Sequence, residues 1–409
     1  MRMSSLRKKV LEELDKRNGV LNLIPSWVAR TLLAPGKRLK LHPRDLYAYG
    51  AERGALCERW MTSVSKADNG VLTVENEGLS FVNIDFGKER ILLKEIMDEA
   101  GDLIIGDESM TRYGGLTAFA KFYDFAAPIP HHVHLMEKDA RAIGVSPKPE
   151  AYFFPPQLNV INYNHNYTYF GLLPGVTRED VIMAIRDWAK YGENAILELS
   201  AAYKLKVGTG WNIPAGLLHA PGSFVTYEPQ RVSDTSMFMQ SMVFDKYIEP
   251  ELLTKFVPTD KKADYEFMVD MLDWDANKDV NFKDNHYCEP IPVKDSNETD
   301  ENGYIEEWIC YGSDEFCAKS LTVFPGQEVT IKDSASYGLL MMEGYGMING
   351  NKIETPSMIR YGRLTSDEMY VSKSAASEGV RIKNCSDTDN IVMYKNFCSD
   401  NMESKAFVK

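Results

Sequence analysis

Apolar residues recur at helical spacing only in short stretches of this chain. Over residues 1–18, Leu6, Val10, Leu11 and Leu14 share one side of an amphipathic helix that Asn18-Gly19 would end. From about 70 to 240 the pattern changes to short β-like runs, at 72–74, 80–84, 119–125, 195–199, 224–227 and 237–244. Gly, Pro and Asn clusters separate them, which predicts an antiparallel sandwich or barrel. One helix interrupts the region: Thr177 caps it, Asp180 completes a capping-box pattern, and Val181, Ala184, Ile185 and Trp188 form its apolar face. A helical stretch at 263–274 and the acidic run at 295–302 read as a linker. From 308 to about 397 the chain is β-rich again, with Pro325-Gly326 and Asn349-Gly350 as turns.

With 409 residues the chain is long enough for two domains. Its 59 acidic against 46 basic residues leave a net charge of −13, which repels a phosphate backbone and argues against nucleic-acid binding. No stretch approaches the roughly 18 consecutive apolar residues of a membrane span. The charged N-terminus lacks the apolar core of a secretory signal, so a cytoplasmic protein without membrane contact is expected. The six cysteines form no C-x-x-C pair, and their scatter fits reduced thiols.

Histidine narrows the chemistry. Of seven, four (His131, His132, His134 and His219) fall in two short motifs. Residues two apart on a strand share a face, so His132 and His134 can reach one metal. The Pro214-Ala-Gly216 turn would aim His219 back toward that pair. The carboxylate to complete the set is Glu137, three residues after His134, or Glu150, ahead of the apolar run that reads as the next strand. Such a donor set suits zinc, manganese or iron.

The spacing Gly208-x5-Pro214-x-Gly216-x2-His219 matches the second cupin motif, and His132-x-His134 the first. In order along residues of about 55–240, further segments resemble type I mannose-6-phosphate isomerases. These are Glu58-Arg59-Trp60, the helix from Leu93, Lys121-Phe-Tyr-Asp, Lys148-Pro149-Glu150, Pro174-Gly-Val-Thr177, Ile213-Pro-Ala-Gly-Leu-Leu-His219-Ala, Tyr227-Glu228-Pro-Gln230 and Ser233-Asp234-Thr235. The resemblance implies a divalent metal, zinc first with manganese or iron as alternatives, at His132, His134, Glu150 and His219. His132 replaces the family's glutamine, and imidazole is the better ligand.

It also implies a mainly β fold of two cupin (double-stranded β-helix, jelly-roll) barrels with added helices. The expected organisation is an N-terminal helical extension at 1–54, a metal-binding cupin domain at 55–249, a helical and acidic linker at 250–304, and a second barrel without metal ligands at 305–409. That last block has no histidine after His286.

The expected activity is aldose–ketose isomerisation of a small-molecule sugar, with Lys148 and Glu228 as proton carriers and Lys121, Gln230 and Arg231 toward substrate. Two departures argue against a phosphorylated sugar: Pro130 stands at the family's serine, and Met237-Phe238 where a Tyr-Arg pair follows the Ser-Asp-Thr segment. A non-catalytic metal-containing sugar-binding or regulatory cupin is the alternative. An O₂-using iron cupin is a weaker third class. The oligomeric state is left open, a homodimer included.

Overall fold

A computed structural model describes residues 4–160, 165–188, 192–244, 246–293, 302–401, 403 and 407. The first helix, α1 (Ser5–Lys16), is capped by the Ser4 side chain, which accepts from the Arg7 backbone N–H. It buries Val10 and Leu14, packs Leu6 against the same cluster, and leaves Leu11 exposed. Gly19 ends it at φ +78°, where a Cβ would lie 2.5 Å from that of Ala375. Beyond this point residues 1–54 are mostly not helical. β1 (Val20–Ile24) and β2 (Ser26–Arg30) follow, and all five residues of β1 are buried, a run too short for a helix and apolar enough for a strand covered on both faces.

β2 pairs with β3 (Ala55–Met61), and β1 pairs with β4 (Phe81–Ile84), which forms a hairpin with β5 (Glu89–Leu92). On its other edge β1 pairs with Glu368–Val371, so the start of the chain completes a sheet of the C-terminal block. Helices α2 (Leu93–Ile105) and α3 (Asp107–Tyr113) follow, and α2 buries Ile96, Met97 and Ile104 in the cluster that also holds Val10 and Leu14 of α1.

The middle of the chain supplies β6 (Ala118–Tyr123), β7 (His132–Val133), β8 (Glu150–Phe153), β9 (Tyr167–Leu172), β10 (Ser200–Lys204), β11 (Gly210–Ile213), β12 (His219–Ala220), β13 (Thr226–Arg231) and β14 (Met237–Phe238). One sheet has seven strands in the order Tyr287–Cys288, β11, β8, β13, β6, β3, β2. A second has five, β10, β9, β12, β7, β14. Every ladder in both is antiparallel. The helix begun by Thr177, Arg178–Arg186, carries both bonds of the expected capping box.

Three of the expected strands take other forms. At 72–74 no strand forms: Leu72 closes a 3-10 turn, Gly70–Leu72, and is itself exposed. At 195–199 a 3-10 helix, Ile196–Leu199, follows Ala195 at φ +54° and leads into β10. At 237–244 the strand breaks into β14 and Met242–Val243, and Phe244 turns at φ +53°. The helical stretch at 263–274 divides into Tyr265–Asp270 and Trp274–Asn277, because Asp264 and Asp273 each cap a separate helix. The acidic run at 295–302 lies outside the described residues apart from Asn302.

The C-terminal block forms a nine-stranded sheet, which includes β1, β4 and β5, and a four-stranded one. Their shared core contains Trp308, Leu321, Leu339, Ile348, Met369 and Phe397. A second apolar layer, with Trp27, Phe122 and Tyr227 from the seven-stranded sheet and Leu340 and Tyr394 from the nine-stranded one, joins the two halves. Arg59 crosses the same boundary, donating at 2.8 Å to Asp367 and 2.9 Å to Glu368. No helix among the described residues is long and apolar enough to cross a membrane.

Candidate metal centre

Three imidazoles converge, two from the five-stranded sheet and the third from the residue just past its strand β7. His132 lies opposite His219 in the register of β7 and β12, and their ring centroids are 4.1 Å apart. His134, two residues on, shares the face of His132, and its ring is 5.1 Å from each of the other two. The intervening side chains point elsewhere. His131 turns to the opposite face, with Nε2 2.6 Å from Ser200 Oγ.

Backbone carbonyls fix the tautomers. Nδ1 of His132 is 2.7 Å from Pro130 O, that of His134 2.6 Å from Thr235 O, and that of His219 2.9 Å from Leu217 O. A carbonyl only accepts, so each Nδ1 carries the proton and each Nε2 keeps its lone pair. Burial, joined by the other two imidazoles, pulls His132 well below the ordinary histidine range. Burial and the adjacent Lys148 ammonium pull His134 to about 3. Both are therefore neutral, the form that ligates metal.

The carboxylate comes from the facing seven-stranded sheet. Glu150 of β8 places Oε2 3.1 Å from His134 Nε2 and Oε1 3.2 Å from His219 Nε2. Glu137, the other candidate, is half-exposed at the start of a short helix and pairs with Arg141 and Arg231. Burial works to raise the Glu150 carboxyl, but Lys148 and His134 outweigh it and hold it well below the usual carboxylate range. The Lys148 ammonium joins two of these groups, bonding Glu150 and lying 3.1 Å from His134 Nε2, whereas His219 Nε2 faces only the Glu150 carboxylate. His219 Nε2, fully buried, has no hydrogen-bond donor of its own. The three histidines thus fit a divalent cation, with Glu150 in reach as a fourth donor. Tyr152 donates to Glu150 Oε1 at 2.5 Å and orients it, as partners of metal ligands commonly do.

Beside these donors, Lys148 bonds Glu150 and reaches Glu228 Oε1 at 3.1 Å. Glu228 of β13 lies opposite Lys121 of β6 in register, and their charged atoms are 3.2 Å apart. Burial, with the Glu150 charge next, pushes the Glu228 carboxyl up to about 8 against the pull of both lysines. His132, Glu150, Lys148, Glu228 and Lys121 all line one cavity of about 330 Å³.

Gln230 and Arg231 do not reach it. Gln230 is fully buried and donates its amide to Ser233 O. Arg231 alternates to the other face of β13, where it pairs with Glu315 at 3.1 Å. The cavity wall instead contains Arg30, which spacing did not single out. Arg30 Nε donates to Glu58 Oε1 at 2.8 Å and Nη2 to Asp234 Oδ1 at 3.1 Å. The Trp60 indole also donates to Glu58, at 2.8 Å. Glu58 and Asp234 stood in motifs quoted from the sequence, whereas nothing local marks Arg30.

No protein-family model and no curated protein sequence matches the chain. Solved structures do. The mannose 6-phosphate isomerase from Bacillus subtilis superposes with a TM-score of 0.59 at 14% identity, covering 93% of this chain and 99% of that one. A mutant of the phosphomannose isomerase from Salmonella typhimurium gives 0.59 at 13%, covering 92% and 99%. A zinc-bound mannose 6-phosphate isomerase gives 0.56 at 13%, covering 92% and 99%. At this identity the likeness is one of fold. It extends the resemblance read over 55–240 to nearly the whole chain, the C-terminal block included.

Proposed function

We propose that the chain is a metal-dependent aldose–ketose isomerase acting on a small uncharged sugar. The reading rests on one arrangement: a buried cluster of three histidines with Glu150 beside it, of which His132 and Glu150 line the same cavity as the Lys148–Glu228 pair. Zinc is the proposed metal, in keeping with the zinc-bound relative of the same fold. A divalent ion bound there would supply a Lewis acid for the sugar carbonyl and the adjoining hydroxyl.

The chain's own groups would do the rest. Glu228 is the proposed base that takes the proton from one of the two reacting carbons, C1 or C2, and returns it to the other. Its raised affinity for a proton, near 8, suits that exchange around neutral pH. Lys148 and Lys121 hold the carboxyl from two sides, at 3.1 and 3.2 Å. Burial of all three excludes water from the transfer.

The charge balance supports an uncharged substrate, although the relatives' names carry a phosphorylated one. Each of the four Lys and Arg side chains lining the cavity already faces a carboxylate: Arg30 with Glu58 at 2.8 Å, Lys121 with Glu58 at 3.7 Å, Lys148 with Glu150, and Lys255 with Asp68 at 2.8 Å. A phosphate dianion would have to break one of these pairs. The two central sheets and the two C-terminal ones are read here as two cupin barrels, with 55–249 as the metal-binding domain and 305–409 as the second, metal-free one.

A non-catalytic sugar-binding cupin is the second reading. Phe238 favours it, since an apolar ring, 5.6 Å from that of His132, stands where the resemblance expects a cation. Deuterium entry at C2 of a panel of aldoses and their 6-phosphates in D₂O, with and without chelator, decides between them. Chelator-sensitive exchange into unphosphorylated sugars supports the isomerase. Exchange only into 6-phosphates refutes the uncharged substrate, and silence with metal bound favours the binding protein.

A further inference from the structure

The cavity lining has two unlike stretches. Lys121, Lys148, Glu150 and Glu228 come from β6, β8 and β13 of the seven-stranded sheet or the loop leading into it. A second stretch of lining carries Phe238, on the edge strand β14 of the five-stranded sheet, with Leu252, Phe256 and Leu32, next to Ser236, Glu251, Lys255 and Thr31, which also line the cavity. The four apolar side chains are only half-buried, and each rests on the same apolar cluster while turning surface toward the cavity. The apolar stretch begins at the metal donors themselves, because Phe238 stands opposite His132 in the register of β14 and β7.

We infer that the site takes an aldose whose end remote from the carbonyl is apolar, a 6-deoxyhexose; this rests on the isomerase reading for the reacting end. A sugar with its carbonyl end at Glu228 and the histidines presents its other end to the apolar stretch. A hydroxyl there loses its water and meets no donor or acceptor from these four apolar side chains, whereas a methyl group covers exposed apolar surface. The volume, about 330 Å³, stands at the small end of ligand sites and suits one monosaccharide.

Matched sugars isolate the terminal group. The first experiment compares C2 exchange of D-rhamnose with D-mannose and of D-fucose with D-galactose, each pair differing only at C6. The second measures binding of 6-deoxymannitol and mannitol, which cannot isomerise, to the zinc-loaded protein by saturation-transfer NMR. The expected result is a kcat/KM about 10- to 100-fold higher for the deoxy member, the range an apolar pocket achieves against an added hydroxyl. Phe238→Asn and, separately, Leu252→Ser should each shrink that ratio several-fold in whichever variant retains the wild-type circular dichroism.

Exchange without deoxy preference in both pairs overturns the inference and leaves the isomerase reading standing. If no aldose exchanges but 6-deoxymannitol binds at least about tenfold tighter than mannitol, the inference holds and the isomerase reading falls. Equal binding of the two polyols in that case overturns both.

Discussion

His132 and His219 stand opposite each other across the antiparallel pair β7–β12, with their ring centroids 4.1 Å apart. Each gives its Nδ1 proton to a carbonyl two residues before it, Pro130 and Leu217 respectively, so both Nε2 lone pairs are free to turn into one space. Cross-strand register, rather than either motif alone, makes these two histidines a pair.

If that pair binds metal with His134 and Glu150, His219→Ala should weaken zinc affinity by about 100-fold or more. Tyr152→Phe, which removes only the hydroxyl on Glu150 Oε1, should cost about tenfold, the lower end of what outer partners of ligands contribute. Competition with a chromophoric chelator measures both. Wild-type affinity in both variants would remove the proposed centre.

Zinc should also raise the melting temperature, because the proposed donors come from separate parts of the chain, His132 and His219 from the five-stranded sheet and Glu150 from the seven-stranded one. At free zinc one hundred times Kd, linkage gives about 2.7 kcal/mol of stabilisation. Calorimetry of the chelated and zinc-loaded protein tests this, and coincident transitions would argue against binding in the folded state.

Glu228→Gln keeps shape and burial but cannot take a proton. Turnover should fall by about 10²- to 10⁴-fold, the usual contribution of a general base, with zinc content unchanged. Retained turnover would clear Glu228 of the role and turn attention to Lys148.

A pH dependence is built in at the boundary between the halves. Burial is the main influence on Glu368 and, against the pull of Arg59, pushes its carboxyl from 4.5 up to about 7. The folded state therefore holds this proton more tightly than the unfolded chain does. The stabilisation from Glu368 is fully present below pH 4.5 and is lost as pH rises to about 7, by about 3 kcal/mol. Glu368→Gln removes the titration, so the stability difference between wild type and variant should drift by that amount over the window. Urea unfolding at a series of pH values measures it; a constant difference would refute the assignment.

The residues that chemistry picks out locally were legible. His132 and His134 share a face because strand side chains alternate, and Thr177 with Asp180 forms a capping box because both partners lie within one turn. The strand expected at 72–74 failed because so short a run makes a strand only where another strand covers it, and Leu72 is exposed at the end of a 3-10 turn. Gln230 and Arg231 failed for a related reason. A motif shows which residues are near in sequence, while the reach of a cavity along a strand depends on what packs above it.

By itself the sequence determined the alternation of β-like runs, the helix caps, the donor types and the pairing of His132 with His134, all of which depend on neighbours a few residues apart. Tertiary structure alone decided the rest. It carried β1 across to pair with Glu368–Val371, and brought Arg30 to Asp234 across 204 positions of chain. Register and burial settle such choices. A charged group enters a buried wall only where a partner already waits, and that partner is set by how the sheets pack.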